Sequence, residues 1–301
     1  MKLIRVAAVG YGNVGRKAVE AILNAPDMEL AGIVEVEKRV DALKKEVAFA
    51  PVVSHISKLD SVDVAVLSVD SRFSSAVAMD CLRNGINTVD PYDNYSEPIL
   101  EYRSKLDNVA KECGTRSIIC AGWDPGTDGM IRAVMEAIIP RGLTYTNFGP
   151  GQSMSHTAAA KTVEGVADAF SLTVPKGSGQ HKRMVYVQLA DNADFATVEK
   201  AILSDHHFNH DETYVIETED VSAIADPGHG VKLERKGVTG KTPNHRAEFT
   251  MSIVNTATTS QIMVSSARAV LRQQPGCYFL PEIPPIDLLC GDRDALLKRL
   301  V

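Results

Sequence analysis

The six residues Gly10-Tyr11-Gly12-Asn13-Val14-Gly15 constrain this chain more than any other segment, because they stand directly after an apolar run (residues 3–9) and directly before a stretch of helical periodicity (residues 14–23). Three glycines at a strand-to-helix joint answer three separate demands. The first permits a tight turn, the second lets the backbone approach an anion with no Cβ in the way, and the third lets the helix pack closely on the sheet. The free amides of the first helical turn then face the anion. The segment predicts a loop for the pyrophosphate of a dinucleotide, with Gly10, Tyr11, Gly12, Asn13, Val14 and Gly15 around it. Glu35 follows roughly 20 residues after Gly15, where a carboxylate commonly takes the ribose hydroxyls of NAD. By that rule Glu35 favours NAD, although Lys38 and Arg39 could reach the 2′-phosphate of NADP if Glu35 turned away. A strand-end Glu can also be no more than a solvated acid.

Beyond the loop, strand-like apolar runs at residues 30–34, 62–69, 87–89 and 117–120 alternate with helical patterns at 75–84 and 99–113. Such alternation predicts a parallel, doubly wound sheet that carries its ligand at the carboxyl ends of the strands. After Ala121 the pattern changes to a helix over 130–139 and then to runs at 169–174, 184–189, 231–236 and 247–254 that alternate apolar and polar residues. An open mixed or antiparallel sheet with one ligand-facing or solvated side fits them. Helical patterns at 258–272 and 292–300 close the chain. The expected class is therefore α/β: a Rossmann domain over residues 1–121, a second α+β domain with an open mixed sheet over 122–274, and a segment 275–301 that returns to the first.

At 301 residues two domains are the natural expectation, and a net charge of −6 offers no basic field for nucleic acid or an anionic membrane. No apolar run approaches the roughly 18 residues of a membrane span, and the start Met1-Lys2-Leu3-Ile4-Arg5 shows no leader pattern. The cysteines, Cys81, Cys113, Cys120, Cys277 and Cys290, have neither disulfide-like pairing nor zinc spacing, which suits a reducing cytoplasm and suggests no metal.

Short polar segments end the predicted parallel strands. Ser68-Val69-Asp70-Ser71 would border the nicotinamide half of the cofactor. Asp90 and Asp93 lie in Val89-Asp90-Pro91-Tyr92-Asp93, and Asp124 lies in Gly122-Trp123-Asp124-Pro125-Gly126, so three carboxylates collect along one rim. They could meet at a cation, and two carboxylates facing an ammonium group make an amine site; taken singly, each could be a helix cap or loop acid. The second domain offers Thr173, Arg183 beside His181 and Lys182, His229 between two glycines, and Asn255. Arginine presents a planar fork to a carboxylate, but a lone strand Arg is usually a surface group.

With these motifs in place, the chain resembles the meso-diaminopimelate D-dehydrogenase family from end to end. The resemblance also rests on Asn147-Phe148-Gly149-Pro150-Gly151, Ser153-Met154-Ser155-His156, His181-Lys182-Arg183, Gly228-His229-Gly230 and Pro275-Gly276-Cys277-Tyr278. It implies reversible oxidative deamination of the D-centre of meso-2,6-diaminopimelate to L-2-amino-6-oxopimelate and ammonia, with NADP as the usual cofactor, in a cytoplasmic homodimer whose second domain supplies the interface. Carried over by motif, Asp93 and Asp124 would grip the D-centre ammonium and are the candidate catalytic groups. Trp123, Phe148, Met154 and Ser155 would shape that end, and Thr173, Arg183, His229 and Asn255 would anchor the L-centre. Pro91, Tyr92, Trp123, Pro125 and Gly126 would complete the cofactor's surroundings.

Two departures from the family pattern stand out. Glu35-Val36-Glu37 precedes Lys38-Arg39 where the family usually carries a basic segment, and only residues 175–180 precede the His-Lys-Arg motif where some members carry an insertion. Members of the compact kind are associated with wider use of 2-keto acids in reductive amination. Two rival readings are a sugar or semialdehyde oxidoreductase of the same architecture, which would ordinarily show a Glu-Lys-Pro motif that is missing here, and a non-catalytic NAD(P)-sensing module.

Overall fold

The computed structural model describes residues 2–93, 99–224 and 228–301, the side chains of Arg72, Met154 and Ser155 excepted. It comprises two compact units, one made of Met1–Met130 with Thr256–Val301 and the other of Ile131–Asn255.

The first unit opens with β1 (Ile4–Val9), α1 (Asn13–Leu23), β2 (Met28–Val34), α2 (Glu37–Glu46) and β3 (Val52–Val53). It continues through β4 (Val64–Leu67), α3 (Ser71–Arg83), β5 (Asn87–Val89), α4 (Ile99–Cys113) and β6 (Arg116–Ile119), and α5 (Asp128–Ile138) runs across the division at 130/131. The second unit holds β7 (Arg141–Gln152), α6 (Met154–Lys161), β8 (Val166–Gly177), β9 (Gln180–Leu189), α7 (Phe195–Ser204), β10 (Glu212–Glu217), β11 (His229–Thr239) and β12 (Thr242–Ile253). The chain then forms α8 (Asn255–Val270), β13 (Gly276–Phe279) and α9 (Arg293–Leu300).

Among the described residues the first unit has one parallel sheet in the order β13-β6-β5-β4-β1-β2-β3. Its central strands are buried on both faces, as all four residues of β4 show, and this is why they read as unbroken apolar runs. α1 buries Gly15, Ala18, Val19 and Ile22, a stripe at helical spacing. The strand order reverses between β1 and β4, the switch point at which an open α/β sheet holds its ligand.

The second unit carries a mixed sheet in the order β10-β9-β8-β7-β11-β12, in which β10 and β9 run parallel and the other neighbours antiparallel. Ser178 and Gly179 join β8 to β9 with φ of 52° and 77°, a two-residue turn whose twist matches the flanking strands. Ala160 of α6 and Val198 and Ile202 of α7 pack with Val185, Val187 and Phe208 into this unit's core.

The expected boundaries at 121/122 and 274/275 fall instead at 130/131 and 255/256. α8 decides the second of these. Its Met263, Val264, Ala267, Ala269 and Val270 share a core cluster with Val6, Ala18 and Ile22 of the nucleotide unit. Ser260 Oγ donates to the Val14 carbonyl (2.7 Å), and the buried Arg268 makes a two-point contact with Asp27 (2.6 and 2.8 Å). The return of the C-terminal segment is more intimate than the sequence suggests, since β13 adds a strand alongside β6.

One acid in the first unit lies wholly inside it. Asp90 follows β5 and is 0% exposed; its carboxylate accepts from the Tyr92 amide (3.0 Å) and the Tyr102 hydroxyl (2.8 Å). Burial pushes its pKa up to about 6, and the bonds from Tyr102 and Tyr92 oppose that rise without cancelling it. The unfolded chain releases this proton near the ordinary carboxylate value while the folded chain keeps it until about pH 6. Folding stability from this group is therefore lost as pH rises through that window. Asp90→Asn removes the titration, so its stability relative to the unsubstituted chain should improve between pH 4 and pH 7 by on the order of 3 kcal/mol. Denaturant melts at a series of pH values measure this, and parallel curves for the two proteins would refute it.

Candidate active site

In the first unit the predicted cofactor residues gather at the carboxyl ends of β1, β2, β4, β5 and β6. A Cβ on Gly10 would stand 2.5 Å from the Ser68 carbonyl oxygen, and one on Gly15 would stand 2.0 Å from the Gly10 carbonyl oxygen, so neither position tolerates a side chain. Gly12 differs: nothing lies within 4 Å of the place its Cβ would take. The helix that starts at Asn13 carries no acid in its first turn. Open space at Gly12 and a first helical turn without an acid suit a pyrophosphate. Tyr11 is nearly buried beneath the Arg16 guanidinium, which lies 4.6 Å from the ring centre, and Val14 packs on the core.

Glu35 departs from the simple rule for its position. Its carboxylate is 8% exposed and turned inward, accepting from the Tyr11 amide (3.1 Å) and the Val36 amide (2.9 Å), and it pairs with Arg39 (3.0 Å). Both oxygens are therefore engaged within the protein. Arg39, in the first turn of α2, is held at this edge with about half its side chain exposed (49%), and Lys38 is exposed beside it.

Ser68, Val69 and Asp70 leave β4, and Ser71 begins α3. Ser68 Oγ is buried with no hydrogen-bond partner among the described residues, and Ser71 Oγ donates to Asp93 Oδ1 (2.7 Å). The loop after β5 is bound to the loop after β6, because the Ala121 amide donates to the Asp90 carbonyl (2.8 Å) and Pro91 stands 3.6 Å from the Cβ position of Gly122. The segments holding Pro91 and Asp93 and Trp123–Gly126 are thus tied together, with Trp123 nearly buried (4% exposed). The Tyr92 ring does not join them: at 1% exposure it stacks on Tyr102 in the core (4.0 Å), which leaves only its backbone for a ligand. Asp124 sits in extended backbone (φ −137°, ψ 122°) inside a single widened turn, Trp123–Thr127, where the Thr127 amide donates to the Gly122 carbonyl (3.0 Å). Widened turns of this kind re-aim a side chain and recur at functional positions.

In the second unit the strand register gathers the rest. Arg183 lies opposite Thr173, Thr173 opposite Gly151, Gly151 opposite His229 and His229 opposite Ile253, a single row across five strands. Directly opposed residues share a face of the sheet. Gly151 belongs there because a Cβ would come 2.4 Å from the Gly228 carbonyl oxygen. The Arg183 guanidinium donates through Nη1 to Thr173 Oγ1 and through Nε to Asp211 Oδ2 (2.8 Å). His229 Nδ1 donates to the Gln152 carbonyl (2.8 Å), which orients the ring. Phe148 lies three residues before Gly151, and its amide donates to His181 Nε2 (2.9 Å). Asn255 opens α8 just beyond the row's last strand. Met154 and Ser155 begin α6, and their side chains lie outside the described residues.

Asp211, His181 and the hydrogen-bonded pair Ser153–His156 (2.7 Å) were not singled out as site residues by sequence reasoning. Asp211 lies in a polar run between α7 and β10, and no spacing rule marks it as the partner of an Arg on another strand.

Residues 4–89 match an oxidoreductase family with an NAD-binding Rossmann fold, and residues 122–179 match the diaminopimelic acid dehydrogenase C-terminal domain. The meso-diaminopimelate D-dehydrogenase of Bacteroides fragilis is 50% identical over 303 residues, covering 100% of each chain. A solved Corynebacterium glutamicum DAP dehydrogenase in complex with DAP superposes with a TM-score of 0.84 at 28% identity, again over 100% of both chains. An engineered D-amino acid dehydrogenase bound to NADP+ gives 0.76 at 25% identity over 100% of both chains. With identity and fold shared along the whole length, the chain belongs to the meso-diaminopimelate D-dehydrogenase family.

Proposed function

We propose that this enzyme catalyses reversible, nicotinamide-dependent oxidative deamination of the D-centre of meso-2,6-diaminopimelate, releasing ammonia and L-2-amino-6-oxopimelate. The observation that carries the reading is the Arg183–Thr173–His229 row, a braced cationic fitting for a carboxylate, in a chain that also bears the acidic pair Asp93 and Asp124. A substrate with two ammonium and two carboxylate groups needs both kinds of contact.

Asp93 and Asp124 receive the D-centre ammonium, while Trp123, Phe148, Met154 and Ser155 shape that end. Arg183 takes the distal carboxylate with Thr173, and His229 and Asn255 complete a pocket for an L-amino acid end. Anchoring that end leaves only the D-centre hydrogen in near-attack position, which is how the stereochemistry is enforced. The bound nicotinamide supplies the hydride acceptor. On the protein side, an ammonium proton must leave before the Cα–H bond breaks and the nitrogen lone pair forms the C=N bond; Asp93 and Asp124 are the carboxylates at hand to take it. Water then adds to that carbon and ammonia departs. The short β8–β9 turn supports a broader range of 2-keto acids in the aminating direction, as expected of a compact member. A homodimer formed through the second unit's sheet and a cytoplasmic setting complete the reading.

We infer further that the preferred cofactor is NADP. An engaged, inward-turned Glu35 cannot offer both oxygens to ribose hydroxyls, whereas Arg39 is a positioned cation for a 2′-phosphate.

Asp124→Ala should lower turnover with meso-diaminopimelate at least tenfold, about 1.4 kcal/mol on the barrier, and initial rates equal to those of the unsubstituted enzyme would remove Asp124 from the mechanism. Arg39→Ala should lower kcat/KM for NADP about tenfold or more and change that for NAD by less than about threefold. An unsubstituted enzyme that prefers NAD, or equal losses with both cofactors, would return the choice to Glu35.

A further inference from the structure

We propose that Asp205, His206 and His207, on the connection between α7 and β10, form a binding site for a divalent transition-metal ion of the zinc class. Each side chain presents one donor atom, and these atoms lie within 4.8 Å of one another. Both imidazoles bring Nδ1 to the same carboxylate oxygen, Asp205 Oδ1: His207 at 2.8 Å and His206 at 3.5 Å. Donors around a tetrahedral zinc ion at about 2.1 Å stand about 3.4 Å apart, so the observed spacings bracket the required one. The two rings lie 3.8 Å apart, centre to centre.

A structural role for Asp205 explains part of this and not all of it. Asp205 Oδ1 accepts from the His207 amide (2.8 Å), and the Phe208 and Asn209 amides donate to the Asp205 carbonyl (3.0 Å each), which together close a tight turn. That turn is complete without any imidazole. A second ring nitrogen near the same oxygen is left unexplained by the turn and expected of a chelate.

The loop is also held in shape before any ion arrives. Phe208 is 1% exposed and locked into the second unit's core. The His156 ring packs edge-on against Phe208 (5.4 Å) and bonds the backbone of His207. His206 is open to solvent, with 78% of its side chain exposed, so an ion has a route in. The His207 amide and ring both donate to Asp205 Oδ1 (2.8 Å each), which fixes the carboxylate's orientation. Two imidazoles and one carboxylate suit zinc, copper or nickel and do not suit calcium or magnesium, which take all-oxygen sites. Loading replaces the proton shared between His207 Nδ1 and Asp205 with the metal, and water fills the remaining position.

The test is equilibrium dialysis of the full chain against zinc chloride at neutral pH, in a Cys113→Ser/Cys290→Ser background because these two thiols are exposed. One zinc per chain should bind at micromolar free metal. His206→Ala/His207→Ala should abolish that equivalent, Asp205→Asn should weaken it at least tenfold, and His210→Ala, which changes an exposed neighbour, should leave it intact. His206→Gln/His207→Gln, which preserves size and polarity, should show the same loss as the alanine pair, with thermal midpoints measured without metal confirming that each variant is folded. Absence of stoichiometric zinc in the background without Cys113 and Cys290 would overturn the assignment. So would a bound equivalent that survives either double histidine substitution.

Discussion

The nucleotide unit depends on a backbone contact that only glycine permits. Gly15 passes so close to the Gly10 carbonyl that a Cβ would stand 2.0 Å from its oxygen, and Gly10 in turn lies against the Ser68 carbonyl. These two approaches hold the start of α1 over the point where the strand order reverses between β1 and β4. Everything that reads as a cofactor contact in this unit is arranged around that junction. A larger residue at either position would push the helix off the sheet, not merely crowd the ligand.

Charge is divided in a way that fits the chemistry. Acids at the carboxyl ends of β5 and β6 belong to one unit, and the braced Arg183 belongs to the other. Asp211 matters to this division because it fixes the guanidinium through Nε while Thr173 occupies Nη1, so the fork is presented in one orientation. Asp90 plays a different part: fully buried and bonded to Tyr102 and Tyr92, it ties down the loop that carries Asp93.

Much of the first unit was legible because double burial writes itself into the sequence as unbroken apolar runs, and because the glycine loop marks a strand-to-helix joint. Elements that escaped did so for physical reasons. α2 buries only Val40 and Leu43, so its sequence looks like solvated polar chain. β7 contains Gly142, Gly149, Pro150 and Gly151, residues that ordinarily announce a loop. The glycines belong there because neighbouring strands come too near for side chains: a Cβ on Gly142 would meet the Lys236 carbonyl oxygen at 2.2 Å. Glu35 shows a different limit. Its position could be read from spacing, but the direction of its carboxylate is set by the Tyr11 amide and by Arg39, contacts that no single-residue rule contains. Asp211 was illegible for the same reason.

The seventh strand of the parallel sheet has a consequence for synthesis. β13 lies beyond residue 275 yet pairs with β6, whose last residue is Ile119. While the ribosome is still making the second unit, β6 is an open parallel edge and the core that α8 will fill is unfinished. The nascent chain must therefore carry an incomplete sheet while the residues between Ile119 and Gly276 are made, exposed to the associations that unpaired edges invite. Completion of the nucleotide unit is a late event, set by the arrival of α8 and β13 and not by the emergence of β1.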